Sequence, residues 1–353
     1  MAKPPSSRSL SARVAEVDAS QHSVRVVPRS IRPPEDGEIR LRLIACGLCG
    51  TDLFKLDNGV APEGAVLGHE LVGEVESVGP GEIHFDVGDR VVVPHHVACG
   101  VCALCLRGSR TLCPVFKENL FDPGGFSEAL VVGPRAVHRA MRHVPDGLSD
   151  AAATFLEPAA CVLRGVDKAD LTTDRPVSVV LGAGSMGLLH LLVLRAVAPE
   201  GLVIVVDPIA DRQRIAETLG AQAAVAPEAA ASAVHDVSRG LGADAVFDTV
   251  GGAALLRHAL QMTRPGGVVV LFAHAADGET ADFELNPLFK NERRVVATYS
   301  GTLEEQGRIA ELLFRGTLDP SPLVSHTLPL SRMAEAVEMA RRREALKIMV
   351  VPG

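Results

Sequence analysis

The chain contains no tryptophan, and Tyr299 is its only tyrosine. That scarcity predicts weak absorbance at 280 nm and carries no functional meaning. No apolar run approaches the ~20 residues needed to span a bilayer. The longest candidates, such as Val177 to Leu181 and Val268 to Phe272, are strand-length, so no membrane partner is expected. An excess of basic residues is also missing. Lys and Arg number 35 against 43 Asp and Glu, for a formal net charge of −8. Phosphate backbones need a basic face, so nucleic acid is excluded as the main partner. The Pro/Ser-rich start, Met1 to Leu10, lacks the apolar stretch of a signal peptide. It reads as a frayed arm, and a cytoplasmic location is expected. No internal repeat and no low-complexity linker interrupts the rest. Cysteine is present but not as a disulfide framework: there are seven, and four crowd into fifteen residues. An odd, clustered set suits metal-bound thiolates in a reducing compartment.

At 353 residues, 47% of them hydrophobic, the chain has the length and the apolar content for two packed domains. Up to about residue 150 it reads as short strands punctuated by glycine: Val24 to Val27, Ile39 to Ala45, Leu71 to Val78 and Asp89 to Val93. Ser149-Asp150 looks like a helix cap, and Leu156 to Lys168 continues helically. From Val177 strands and helices alternate. Strands are expected at Val177 to Leu181, Leu202 to Asp207, Ala245 to Asp248, Val268 to Phe272 and Val295 to Tyr299. Helices are expected at Gly187 to Val197, Asp211 to Leu219 and Ala253 to Met262. Such alternation means an α/β domain with a doubly wound parallel sheet. After further helices (Glu304 to Phe314, Met333 to Arg343), the strand Ile348 to Val351 is expected to return to the first domain.

Gly182-Ala183-Gly184-Ser185-Met186-Gly187 places G-x-G-x-x-G between an expected strand and an expected helix. Gly182 permits the tight turn, Gly184 lets backbone approach a pyrophosphate, and Gly187 lets helix pack on strand. The helix start at Ser185 and Met186 then offers its free N–H groups to phosphate. Asp207 lies twenty positions beyond Gly187 at the end of the second strand, where a carboxylate accepts from ribose hydroxyls. It would repel a 2′-phosphate, which favours NAD over NADP; Arg212 flanks the adenine or ribose. The plainer reading is a glycine turn with a capping Asp.

Cys99-x2-Cys102-x2-Cys105-x7-Cys113 offers four soft ligands to a tetrahedral zinc with no open position. Such a closed site would hold together a loop that lacks its own core. An iron–sulfur cluster or four ordinary buried thiols are the alternatives; nothing else in the chain suggests electron transfer. Elsewhere, Cys46-Gly47-Leu48-Cys49-Gly50-Thr51-Asp52 and Gly68-His69-Glu70 supply candidate ligands for a second, open metal site. A Cys and a His twenty residues apart are weak evidence when taken alone.

The assembled order does more. Those two motifs, the four-cysteine loop, Glu157-Pro158 and the dinucleotide turn together resemble the zinc-containing medium-chain dehydrogenases, near the sorbitol and threonine dehydrogenase branch. The resemblance covers nearly the whole chain, including Asp122-Pro123-Gly124-Gly125-Phe126-Ser127-Glu128 and Leu346-Lys347-Ile348-Met349-Val350. It implies a GroES-like β-rich catalytic domain over 1–155, completed by 297–353, and a Rossmann NAD-binding domain over 156–296. It also implies two zinc ions per chain, one catalytic and one structural. By position Cys49, His69 and Glu157 match the catalytic ligands, Glu70 an exchangeable fourth, and Cys46 a non-ligand; Asp52 would orient a ligand. Zinc would lower the pKa of a secondary alcohol or polyol, Thr51 would hydrogen-bond its oxygen, and hydride would pass to NAD. Many relatives carry a proton-relay histidine where Phe54 stands here, so the proton must leave by another route. His95 and His96 read as structural histidines. Relatives pair into homodimers or homotetramers. The competing readings are a zinc-free quinone or enoyl reductase and a non-catalytic nucleotide sensor.

Overall fold

The computed structural model describes residues 8–353. Most of the expected N-terminal arm lies outside the described residues. Its last position, Leu10, opens the strand Leu10–Asp18. The chain divides into two compact units, one formed by 1–157 with 302–353 and the other by 158–301. Among the described residues no helix is long and apolar enough to cross a membrane.

The first unit is built on an eight-stranded sheet and a separate two-stranded one; the larger carries the site. Its central strand, Ile39–Gly47, lies antiparallel to Glu70–Val78, which lies antiparallel to Arg90–Pro94. On the other flank the C-terminal strand Lys347–Val351 pairs with the end of Ile39–Gly47, placing Met349 opposite Gly47 and Val350 opposite Cys46. The returning segment thus completes the first unit's sheet, joined by Val324–Pro329 at its edge. Alternating apolar residues explain the pleat: Ile39, Leu41, Leu43, Leu71, Val75, Val91 and Val93 are buried in one core with Phe121, Phe126 and Leu130. The hairpin Leu10–Asp18/Ser23–Ile31 is longer than the expected Val24 to Val27. Arg and Glu alternate with its apolar residues and pair with one another, as Arg25 does with Glu16.

The second unit holds a six-stranded sheet, every neighbouring pair parallel. Its spatial order is Ala223–Val225, Leu202–Val206, Val177–Leu181, Ala243–Asp248, Thr263–Leu271, Arg294–Ala297. Sequence order reverses beside Val177–Leu181, and in doubly wound sheets ligands bind outside the strand ends at such a point. Elements not expected include the helix Leu285–Lys290, the strand Ala223–Val225 and the helix Ala230–Val237. The last two lie in an alanine-rich stretch, where small side chains blur the difference between a period of 2 and one of 3.6.

The helix Ser185–Val197 buries His190 completely. Its Nδ1 lies 2.7 Å from the Met186 carbonyl oxygen, and its ring packs edge-on against Phe272 at 4.5 Å. Burial pushes its pKa down to about 4. An unfolded imidazole titrates near 6.5, so between those values the unfolded chain binds more protons than the folded one. The stabilisation is therefore complete above about pH 6.5 and is lost as pH falls toward 4, on the order of 3 kcal/mol in all. Comparing melting temperatures of wild type and His190→Leu at pH 7 and pH 4.5 tests this: the gap should shift in the variant's favour at low pH. A pH-independent gap would show that His190 does not titrate on unfolding.

Candidate metal and dinucleotide sites

The four-cysteine loop folds back on itself through two short helical turns, Ala103–Leu106 and Arg110–Leu112. The Cys99 and Cys113 sulfurs are 3.6 Å apart, and those of Cys99 and Cys105 are 4.0 Å apart. A zinc tetrahedron with bonds of about 2.3 Å has sulfur–sulfur edges of about 3.8 Å, whereas a disulfide needs about 2.05 Å. All four sulfurs lie within 4.8 Å of one another. Backbone N–H groups of Val101 and Cys102 pull the Cys99 thiol down to about 6, while burial pushes Cys105 up to about 11. The lobe's own core is only Ala98, Cys105, Cys113 and Phe116, and Val101, Leu106 and Leu112 stay exposed. A bound ion would supply the cross-link that this small core does not.

The second cluster begins at the end of strand Ile39–Gly47. Cys49 caps the helix Gly50–Asp57: its sulfur accepts from the Thr51 N–H, and Asp52 Oδ2 accepts from the Cys49 N–H at 3.0 Å. This is a capping box with cysteine in the serine position, a signal present in Cys49-Gly50-Thr51-Asp52 but overlooked because cysteine is not a usual cap. The other oxygen of Asp52 faces His69 Nδ1 at 3.4 Å and the Gly68 N–H at 3.5 Å. Nδ1 is thereby engaged, leaving Nε2 as the ring atom for the cluster. Burial alone would push the His69 pKa down, but the Asp52 charge and the Cys49 thiol carry it well above its ordinary value. Burial likewise works against the Asp52 charge, yet His69 holds its pKa below the usual value. The Asp122 to Phe126 loop clasps the same spot. Gly125 and Phe126 donate to Gly68 and Leu67 carbonyls, and Gly68, at φ +92°, has no room for a Cβ beside the Phe126 backbone.

Ligand atoms of Cys49, His69 and Glu70 lie within 4.8 Å of one another. Glu157, half-buried at the start of helix Leu156–Ala169, is not in that group, so the structure gathers Glu70 ahead of it. Cys46 behaves differently from Cys49. Burial, then the charges of Asp52 and Glu70, raise its pKa well above the ordinary thiol value, which keeps it a neutral thiol. One thiolate, one imidazole and a nearby carboxylate form a donor set that fits zinc with a position to spare.

In the second unit, Gly182 sits at φ +94° directly after strand Val177–Leu181. A Cβ on Gly187 would overlap the Gly182 carbonyl oxygen. Gly184 caps helix Ser185–Val197 without a side-chain bond, so the N–H groups of Ser185, Met186 and Gly187 precede the first intrahelical bond. Ser185 Oγ is buried with no hydrogen-bond partner among the described residues. Asp207 is buried, and its oxygens accept from the Ala183 N–H at 2.7 Å and the Ile209 N–H at 2.9 Å. Arg212 Nη1 lies 4.0 Å from where a Gly184 Cβ would stand. Orphan amides, a guanidinium and a fixed carboxylate fit a pyrophosphate and a ribose.

Residues 35–145 match the alcohol dehydrogenase GroES-like domain, and residues 186–315 match the zinc-binding dehydrogenase family. The D-altritol 5-dehydrogenase of Agrobacterium fabrum is 32% identical, covering 87% of this chain and 89% of its own. The chain belongs to the zinc-dependent medium-chain alcohol and polyol dehydrogenases. The L-threonine 3-dehydrogenase of Pyrococcus horikoshii is 28% identical over 93% of this chain and 95% of its own. Among solved structures, the alcohol dehydrogenase TADH of Thermus sp. ATN1 superposes with a TM-score of 0.84 at 31% identity, over 98% of this chain and all of that one. This dehydrogenase is therefore an oxidoreductase with the family's GroES-like and Rossmann architecture.

Two residues beside the candidate metal cluster were given no place in the site by the sequence. The His95 ring lies 4.5 Å from His69 and 3.5 Å from His96, and its Nδ1 is buried with no partner among the described residues. Its place as a bland structural histidine is thus corrected: it borders the site. Burial pushes His95 well below its ordinary pKa and His96 to about 3, so both are neutral at physiological pH. Lys347, carried by the C-terminal strand, forms an ion pair with Glu70.

The glycines of the turn give a contrast. Gly187→Ala should cost about 1–3 kcal/mol from overpacking. Gly184→Ala, with φ −76° and open space around it, should melt within ~0.5 kcal/mol of wild type and still raise the KM for the nicotinamide cofactor. An unchanged cofactor KM in Gly184→Ala would remove the turn from the binding site.

Proposed function

We propose that this dehydrogenase binds two zinc ions per chain and uses NAD to oxidise a secondary alcohol or polyol, or to reduce the matching ketone. The observation that carries the reading is the gathering of Cys49, His69 and Glu70 around one point, with Asp52 engaged at the far nitrogen of His69. When bound, zinc supplies the positive charge that lowers an alcohol's pKa, and NAD supplies the hydride acceptor.

The chain's own residues divide the remaining work. Cys49 and His69 hold the reactive metal; Glu157 and Glu70 are the carboxylates in contention to complete its shell. Asp52 orients the imidazole and fixes its tautomer. The Thr51 hydroxyl, exposed at the first turn of helix Gly50–Asp57, hydrogen-bonds the substrate oxygen and receives its proton. Phe54 cannot pass that proton on, so the exit runs through water, a ribose hydroxyl or another residue. Cys99, Cys102, Cys105 and Cys113 hold the structural zinc. Gly182, Gly184, Ser185, Met186 and Gly187 receive the pyrophosphate, and Asp207 and Arg212 the adenosine end. The Asp207 carboxylate supports NAD over NADP, because a 2′-phosphate would meet a buried negative charge. The names of the altritol and threonine dehydrogenases support a small hydroxylated substrate.

Two further expectations belong with this reading. Strand Arg294–Ala297 forms an edge of its sheet, and Val295, Leu285 and Phe289 are exposed; such an edge supports pairing of two copies. A monomer in sedimentation at micromolar concentration would remove that part. Four free thiols at zinc-tetrahedron spacing support the reducing cytoplasm.

Cys49→Ser and Cys102→Ser separate the two metals. Cys49→Ser should fold, bind NADH, retain one zinc per chain and show no turnover. Cys102→Ser should lose the other zinc and melt at a lower temperature. Turnover intact in Cys49→Ser would overturn the assignment of the reactive metal.

A further inference from the structure

We propose that His95 and His96 are positioning residues that tie the four-cysteine lobe to the reactive site, so that closing the lobe on its metal steadies His69 and tightens the metal held at Cys49, His69 and Glu70. The inference rests on both clusters holding zinc.

A continuous line of rings joins the two. Phe116 belongs to the small core of the lobe. Its ring centre lies 5.1 Å from that of His96, His96 lies 3.5 Å from His95, and His95 lies 4.5 Å from His69. The sheet register sets the last contact. Glu70 pairs with Pro94 where their two strands meet at one end, and continuing an antiparallel ladder by one residue on each side sets His69 opposite His95. The cysteines set the first contact. His96 stands three residues before Cys99, and Phe116 stands three residues after Cys113. The Cys99 and Cys113 sulfurs are 3.6 Å apart, so an ion that draws them together also brings the two flanking rings side by side.

Packing holds this line in place. His95 Nδ1 is buried with no partner among the described residues, and the Phe116 ring has no hydrogen bond to make. Rings placed by their neighbours alone shift when one neighbour is withdrawn. His69 is anchored at one atom, where Asp52 Oδ1 faces its Nδ1 at 3.4 Å. A single contact leaves the imidazole free to turn about that line, and the close approach of the His95 ring opposes the turn. The partners that orient a ligating imidazole set how tightly it holds its metal. Without the lobe's ion Cys113 is no longer tied to Cys99, Phe116 withdraws from His96, and the slack reaches His69. A lobe that touches no substrate thereby acts on the reactive metal.

The test uses the full-length enzyme with zinc in the lobe and cobalt exchanged into the Cys49 site. It reads two quantities besides activity: the visible bands of the cobalt, and its rate of release to a chelator. Phe116→Ala and His96→Ala leave every ligand of both clusters in place. Each should still carry two metals, shift the cobalt bands and speed cobalt release by about tenfold. His96→Phe, which keeps a ring, should give the bands and release of wild type. The double variant Phe116→Ala/His96→Ala should release cobalt no faster than the quicker single variant, because both cut one line of contacts. Should Phe116→Ala fail to fold, His96→Ala, whose ring is only half-buried, decides on the same two readings. Wild-type bands and release in His96→Ala, even with a lowered melting temperature, overturn the proposal, and so does an equal change in His96→Phe. Failure of the underlying reading looks different: wild type itself would take up only the four-cysteine metal.

Discussion

A buried carboxylate, Asp52, ties together the two segments that bring the reactive ligands to one place. It accepts from the backbone of Cys49 and of Gly68 and faces the His69 ring. Cys49 and His69 lie on different elements, one at a helix start and the other at the head of a strand. The contacts to Asp52 tie them to each other, alongside the ladder that pairs Gly47 with Glu70. The Asp122 to Phe126 loop presses on Gly68 from outside and leaves it no freedom to turn. On the proposed reading, substrate chemistry at this point depends on a carboxylate placed behind the imidazole rather than on the metal.

The two candidate metal sites differ in what they gather. In the lobe, four sulfurs approach an ideal tetrahedral spacing around a core of four buried residues, and closure is the point. At Cys49, His69 and Glu70 only three ligand atoms gather, one fewer than in the lobe. There Asp52 faces the His69 ring and Glu70 forms an ion pair with Lys347. Glycines make these matches possible by what they omit. Gly47 clears the path between Glu70 and Lys347, and Gly187 lets a helix close on the phosphate turn. Gly184 is different: protein atoms leave it room, so its constraint comes from outside the chain.

Much of this was legible in the sequence. Alternating strand and helix patterns from Val177 onward announced the parallel sheet, and the spacing of Cys99, Cys102, Cys105 and Cys113 announced the gathering of four sulfurs. Periodicity and short spacings record neighbours along the chain, and those elements are made of such neighbours. What stayed hidden depends on register between distant strands. Lys347 reaches Glu70 only because the last strand docks beside Gly47, and His95 reaches His69 only because two antiparallel strands end together. The order of the carboxylates changed for the same reason: Glu70 is adjacent to His69 in sequence and in space, whereas Glu157 arrives on a separate helix. Helix Gly50–Asp57 was missed on local grounds, since a cysteine cap carries none of the usual serine or aspartate signal.

The most direct test of two chemically distinct zinc sites is X-ray absorption at the zinc edge of the fully loaded wild-type enzyme. One site with four sulfurs and one with a single sulfur average to about 2.5 sulfur ligands per zinc at about 2.3 Å, with the remainder nitrogen or oxygen near 2.0–2.2 Å. That average, at two zinc per chain, is the predicted result. A spectrum fitted by four sulfurs alone, at one zinc per chain, would contradict the account and leave Cys49, His69 and Glu70 without a metal to serve.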